Sequence, residues 1–135
     1  MRILLDESVA HALAREFVDF DVSTARGEGW TGLRNGVLLR AAVAAGFNVL
    51  ITRDRAMRYQ QNLERLGIAV LVLIGVRNRI EDLRMLVPQI LSILPLLRPG
   101  DAYELAPLKG DAICDRGMPQ VLGHRAALRA TGVGR

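Results

Sequence analysis

The chain has 135 residues and a formal net charge of +4, and hydrophobic residues make up 50% of it. This length and composition fit one folded domain with a sizeable core, and they exclude a disordered chain. The longest apolar run, residues 68–76, is far shorter than the roughly 20 residues that a membrane-spanning helix needs.

The positive charge is concentrated near the C-terminus. Residues 1–107 hold 13 basic and 12 acidic side chains, whereas residues 108–135 hold 5 basic and 2 acidic ones. Such a balance permits nucleic-acid binding but is weak evidence for it. The N-terminus lacks the pattern of a signal peptide, and Cys114 is the single cysteine, so we expect a cytoplasmic protein without an internal disulfide.

Strands and helices alternate along most of the chain. Short apolar or alternating runs predict strands at residues 2–5, 20–23, 48–52 and 68–74, with a final edge strand at 101–106. Apolar residues at helical spacing predict helices at residues 8–18, 35–45, 55–66 and 78–94. The alternation favours a three-layer α/β fold, in which helices cover both faces of a central parallel sheet.

Several residues have the character of helix ends. Asn35 is a good N-cap, and Gly46 is placed to end the same helix. Asn78 and Glu81 have the spacing of a capping box. Pro88 lies inside the last predicted helix, where a missing backbone N–H predicts a kink.

The predicted strand order is 2-1-3-4, with strands one and three side by side. We expect residues 1–107 to form the domain. Residues 108–135 have five glycines and little apolar periodicity, so we expect a flexible basic tail.

Two predicted strands end in acidic residues. Asp6 and Glu7 follow the first strand, and Asp54 follows the third. In the predicted order, Asp6 and Asp54 face each other at the carboxyl edge of the sheet, where α/β proteins bind ligands. Paired carboxylates suit Mg²⁺ or Mn²⁺, and Glu7 or Glu28 could serve as a further ligand. The alternative is that Asp6 and Asp54 cap the helices that follow them.

Other polar residues lie close to Asp54 in the sequence. Arg53 and Arg55 could hold a phosphate backbone or pair with surface acids. Gln60 and Gln61 could bind bases or phosphates, or form a solvated helix face. The sequence leaves both pairs of alternatives open.

Four stretches resemble a PIN-like domain family whose members are toxin components of bacterial toxin–antitoxin pairs. They are L-L-D-E-S at 4–8, G-W-T-G-L-R-N-G-V-L-L at 29–39, L-I-T-R-D-R at 50–55 and Y-Q-Q-N-L at 59–63. The resemblance extends to about residue 106 and excludes the tail. It implies a PIN-like fold, a Mg²⁺ or Mn²⁺ site and cleavage of RNA, with a cognate antitoxin protein as partner; a homodimer is also open.

Under this resemblance, Asp6 and Asp54 match the metal-binding and catalytic acids, with Arg53, Arg55, Gln60 and Gln61 as candidate substrate-binding residues. The chain departs from the family pattern at two places. Val37 stands where similar chains have glutamate, and no acid follows the fourth strand, where residues 75–78 read G-V-R-N. The expected activity is therefore that of a metal-dependent endoribonuclease impaired by missing acids.

Two other readings stay open. One is a PIN-like protein that binds a partner without catalysis. The other is a phosphoacceptor module that resembles response-regulator receivers, with the acidic pair Asp6-Glu7, a phosphoacceptor Asp54 and a late Lys109. Receivers have a hydroxyl residue after the fourth strand, and this chain has Ile74-Gly75 there.

Overall fold

The computed structural model describes residues 1–59 and 63–107. Five strands form one all-parallel sheet in the order β2-β1-β3-β4-β5. They are β1 Arg2–Leu5, β2 Asp21–Thr24, β3 Val49–Thr52, β4 Ala69–Leu73 and β5 Ala102–Leu105. The predicted order of the first four strands is confirmed, and the expected edge strand pairs with β4 in parallel.

Short helices connect the strands. The α-helices are α1 Asn35–Ala44, α2 Leu63–Leu66, α3 Ile80–Arg84 and α4 Val87–Ile93. Three 3₁₀ helices lie at His11–Glu16, Arg55–Tyr59 and Leu94–Leu96. Within the described residues, the structure contains no helix long and apolar enough to cross a membrane.

Helices cover both faces of the sheet, so the predicted three-layer α/β arrangement is confirmed. Ile3 and Leu5 of β1 point to one face, where they pack with the first 3₁₀ helix, α3 and α4. Leu4 points to the other face, where α1, the second 3₁₀ helix and α2 form a second core. Because side chains alternate along a strand, one apolar run supplies both cores.

Two predicted helices are shorter and tighter in the structure. The helix expected at residues 8–18 is the 3₁₀ helix His11–Glu16. The helix expected at 55–66 is described as the 3₁₀ helix Arg55–Tyr59 followed by α2, with residues 60–62 between them outside the described part. The tail at 108–135, expected to be flexible, also lies outside the described residues.

The prediction of one long helix with a kink at Pro88 is wrong. The chain forms α3 and α4 instead, and Pro88 lies in the first turn of α4, where its missing N–H has no intrahelical partner to lose. The capping box is also wrong, because Asn78 Oδ1 accepts the backbone N–H of Ala10 at 2.6 Å. Arg79 is the N-cap of α3.

The predicted boundaries of α1 fit more closely. Gly46 follows its C-cap with φ = 90°, a left-handed conformation that favours glycine, so the predicted stop is confirmed. Asn35 is the first helical residue, and Arg34 takes the N-cap position predicted for it. The start of α1 lies beside the acidic residues that follow β1 and β3.

Candidate functional site

The strand order creates a crevice between β1 and β3. The chain leaves β1 toward β2 on one side and returns to β3 on the other, so the connections on either side of β1 diverge. Asp6 directly follows β1, and its backbone N–H donates to Ile51 O at 2.9 Å. Asp54 follows β3 by two residues. Both acids therefore lie at the carboxyl edge of neighbouring strands.

A pocket of about 730 Å³ opens at this point, and we call it the acid pocket. Its acidic members are Asp6, Glu7 and Asp54. Ser8, the loop residues 32–34 and the first two residues of α1, Asn35 and Gly36, complete the lining. The volume lies within the range of small-molecule and cofactor sites.

Two hydroxyl groups hold Asp6 in place. Thr52 Oγ1 donates to Asp6 Oδ2 at 2.7 Å, and Ser8 Oγ donates to the same oxygen at 2.8 Å. Thr52 Oγ1 also accepts the backbone N–H of Asp54 at 3.0 Å. Thr52 is fully buried, so its single side chain links the two acidic residues through fixed hydrogen bonds.

The alternative, that Asp6 and Asp54 cap the helices that follow them, fits Asp54 but not Asp6. Asp54 Oδ1 accepts the backbone N–H of Ala56 at 3.0 Å, at the start of the second 3₁₀ helix. The Asp6 side chain bonds to two hydroxyl groups instead. Among the described residues, no donor contacts Asp6 Oδ1 or Asp54 Oδ2. Each carboxylate thus keeps one oxygen for an outside ligand.

Glu7 and Glu28, the two candidates for a further metal ligand, differ in position. Glu7 lines the acid pocket, and both its carboxylate oxygens accept the backbone N–H of Gly32 at 3.2 Å. Glu28 accepts the hydroxyl of Ser23 at 2.6 Å, and it is not part of the acid-pocket lining described above. The structure brings Glu7 to Asp6 and Asp54 but does not bring Glu28 there.

The two arginines beside Asp54 bond elsewhere in the protein. Arg53 donates from Nη2 to Val76 O at 2.8 Å and from Nη1 to Ser8 O at 3.5 Å. Arg55 donates to both carboxylate oxygens of Glu104, at 3.3 and 3.4 Å. Neither arginine belongs to the lining of the acid pocket. The other two candidate RNA contacts, Gln60 and Gln61, lie outside the described residues.

The carboxylate oxygens of the acid pocket suit a hard cation that takes only a few of its ligands from the protein. Mg²⁺ is commonly bound by one or two carboxylates, and it completes its shell with water and substrate phosphate. Asp6 and Asp54 each offer one oxygen for this. Over residues 1–59 and 63–107, no group of three or more His, Cys, Asp or Glu side chains is placed to hold a metal.

The hydroxyl pair Ser8 and Thr52 was given no role from the sequence, although both lie within two residues of a candidate acid. A hydroxyl residue at a strand end beside an aspartate is a local signal that could have identified them. Arg34 and Asn35 were also not expected in the pocket. Their position depends on how the loop before α1 packs against the sheet.

Comparison with known proteins gives no match to a family model, to a curated protein or to a solved structure.

Proposed function

We propose that the chain is a PIN-like, toxin-type ribonuclease that depends on Mg²⁺ or Mn²⁺, with Asp6 and Asp54 as the metal ligands. The observation that carries this proposal is the convergence of both carboxylates in one pocket at the switch point of a parallel sheet. Neither has an ion pair among the described residues. An outside cation would balance their charge.

The protein's own part in the reaction is to orient the acids. The hydroxyl groups of Thr52 and Ser8 fix one oxygen of Asp6, which leaves the other for the cation. Glu7, held by Gly32, adds a third carboxylate that can accept a proton within the pocket. A bound Mg²⁺ or Mn²⁺ would activate water and neutralise the charge of a phosphodiester.

We further propose that the site binds its metal weakly and that the activity is low. Val37, in the first turn of α1, stands where similar chains have glutamate, and its side chain is 46% exposed. The pocket therefore lacks that expected acidic ligand. The same resemblance supports a cognate antitoxin protein as the partner that controls this activity.

A cleavage assay on single-stranded RNA tests the proposal. We expect slow cleavage with Mn²⁺, none with EDTA, and at least about a hundredfold loss in Asp54→Asn, because one of two ligand carboxylates is removed. Asp19→Asn is the matched control, since Asp19 is exposed and lies before β2, at the opposite edge of the sheet. Cleavage that survives EDTA, or equal rates in the two variants, would contradict the proposal.

A receiver-like phosphoacceptor is the second candidate, because the order 2-1-3-4-5 is also that of flavodoxin-like and receiver sheets. Asp54 would accept the phosphoryl group. Ile74 and Gly75 follow β4 without the hydroxyl group of receivers, and Lys109 lies outside the described residues. Labelling by acetyl phosphate that is lost in Asp54→Asn, together with absent cleavage, would favour this candidate. Absent labelling and absent cleavage would favour the non-catalytic interaction protein.

A further inference from the structure

A second pocket, of about 380 Å³, adjoins the acid pocket on the β2 side. The two pockets share Asp6 and Glu7 as a common wall. The second pocket opens at the carboxyl ends of β1 and β2, where Leu5 and Thr24 belong to its lining. A linear ligand that lies across the edge of the sheet would therefore meet both pockets in succession.

Hydrogen-bond donors distinguish this second pocket, and we call it the donor pocket. Its lining includes His11 from the first 3₁₀ helix, and Thr24, Arg26 and Thr31 from β2 and the loop after it. Thr24 Oγ1 accepts the backbone N–H of Gly27 at 2.8 Å, so its own hydrogen stays available. The donors thus converge from two separate parts of the chain.

The other three donors are exposed and have no side-chain partner among the described residues. The side chains of His11, Arg26 and Thr31 make no hydrogen bond or ion pair with any described residue. Arg53 and Arg55, by contrast, bond to the protein itself. Arg26 is therefore a cation without an ion pair in the described part of the chain, and its guanidinium fork matches the geometry of phosphate oxygens.

The two pockets differ in what they would bind. The acid pocket needs a cation before it can take a phosphate, because its lining has three acidic residues and only one basic residue, Arg34. The donor pocket shares two of these carboxylates, Asp6 and Glu7, but it adds His11, Arg26 and Thr31. The N–H and O–H groups of these side chains can bind a phosphate directly. Two neighbouring phosphates of one RNA strand would therefore be held differently. The metal would bind one of them, and side chains would bind the next.

From this juxtaposition we propose that the donor pocket holds the RNA phosphate adjacent to the one that is cleaved. Arg26 is its principal contact, and His11 and Thr31 are supporting contacts. The inference rests on the proposed function, since it assumes that the acid pocket takes the scissile phosphate. It adds a substrate-positioning site that requires no metal.

Fluorescence anisotropy of a short single-stranded RNA in EDTA tests this site without cleavage and without metal. We expect Arg26→Ala to weaken binding about tenfold, because it removes a charge-assisted hydrogen bond to phosphate. His11→Ala and Thr31→Val should each weaken binding about threefold. Arg26→Lys keeps the charge but loses the fork, so its affinity should lie between those of wild type and Arg26→Ala.

Arg65→Ala is the matched control, because Arg65 is an exposed arginine of α2, next to the amino end of β4. It should change the affinity less than twofold. The dependence of affinity on salt gives a second readout. Each phosphate contact to a single strand contributes about 0.7 to the slope of log K against log salt, so Arg26→Ala should lower the slope by about that amount.

The outcomes separate this inference from the ribonuclease proposal. Metal-dependent cleavage that is sensitive to Asp54→Asn, together with unchanged binding in Arg26→Ala, would overturn the donor pocket alone. Weakened binding in Arg26→Ala without any cleavage would keep the RNA site and remove the nuclease. Failure of the wild type to bind RNA at about 100 μM, the weak limit of non-specific binding, would overturn the inference directly.

Discussion

The carboxylate of β5 and the carboxylates of the acid pocket differ in whether an arginine of the protein pairs with them. Glu104 of β5 is fully buried, and Arg55 donates to both of its carboxylate oxygens. Asp6 and Asp54 have hydroxyl and backbone donors, but no ion pair within the described part of the chain. The protein thus supplies a cation to one site and leaves the other to an outside ligand.

Two neighbours of Asp54 account for this difference. Arg55 lies one residue after it, and the second 3₁₀ helix places its side chain against β5. Arg53 lies one residue before it, and its guanidinium donates to Val76 O and Ser8 O. Both arginines next to Asp54 in the sequence therefore bond within the fold. With three acidic residues and one arginine, Arg34, in its lining, the acid pocket has an excess of negative charge that can attract a metal.

Arg55→Ala should have the largest effect on stability, because it removes the guanidinium from a buried carboxylate. Breaking a fully buried pair costs about 3–5 kcal/mol. The Arg55 side chain is 61% exposed, so we expect a loss of about 2–3 kcal/mol in the free energy of unfolding, measured with urea.

Arg77→Ala is the control for that measurement. It breaks the pair with Asp82, in which the arginine side chain is 75% exposed, and should cost less than about 1 kcal/mol. Equal losses in the two variants would show that burial of Glu104 does not make its ion pair more stabilising than the exposed pair of Arg77 and Asp82.

Thr52→Val tests the hydroxyl link within the acid pocket. The substitution keeps the shape of the side chain but removes the donor to Asp6 and the acceptor for the Asp54 N–H. We expect a loss of about 1–2 kcal/mol in unfolding free energy. Affinity for Mn²⁺, measured by calorimetry, should fall about tenfold, because residues that orient metal ligands affect affinity at this scale.

Thr24→Val provides a comparison, since its hydroxyl accepts one exposed hydrogen bond, from Gly27 N. It should cost less than about 1 kcal/mol and leave Mn²⁺ affinity unchanged. A Thr52→Val protein that binds Mn²⁺ like the wild type would remove Thr52 from the site.

Val37→Glu should shift the acid pocket toward stronger metal binding. Val37 is 46% exposed and belongs to neither core, so glutamate displaces no core residue. A negative charge in the first turn of α1 is favourable by about 0.3–1 kcal/mol. A third ligand carboxylate, in addition to Asp6 and Asp54, should tighten Mn²⁺ binding about tenfold, or about 1.4 kcal/mol. Calorimetric titration measures the change.

The control is Val18→Glu, which adds the same charge at an exposed valine before β2, at the opposite edge of the sheet. It should leave the affinity for Mn²⁺ as it is. If Val37→Glu also leaves it unchanged while the protein stays folded, residue 37 does not face the metal.

The sheet could be predicted from the sequence because its signals are local. The apolar run at 68–74 is β4, Ala69–Leu73, and the run at 48–52 is β3, Val49–Thr52. A strand that is buried on both faces must be apolar throughout, and alternation with helices favours parallel order. Asp6 and Asp54 were recognisable as site candidates because they follow the runs at 2–5 and 48–52.

The helices were less predictable, because side chains distant in sequence compete for their ends. Asn78 has the spacing of a cap, yet its side chain accepts the N–H of Ala10, 68 residues away. Pro88 lies in an apolar helical pattern, and the chain begins a new helix there instead of bending the old one. Such choices depend on which partner tertiary packing brings within reach.

The sequence by itself determined where the strands lie and that Asp6 and Asp54 follow two of them, since burial and strand ends are properties of contiguous residues. The order of the strands followed from general rules for parallel sheets. Only the tertiary structure decided which charges remain free. Arg55 reaches Glu104 across 49 residues of sequence, and Arg53 reaches Val76 across 23. Because a charged side chain is neutralised by whatever lies within a few ångströms, the availability of the acid pocket depends on packing between strands and cannot be read from spacing along the chain.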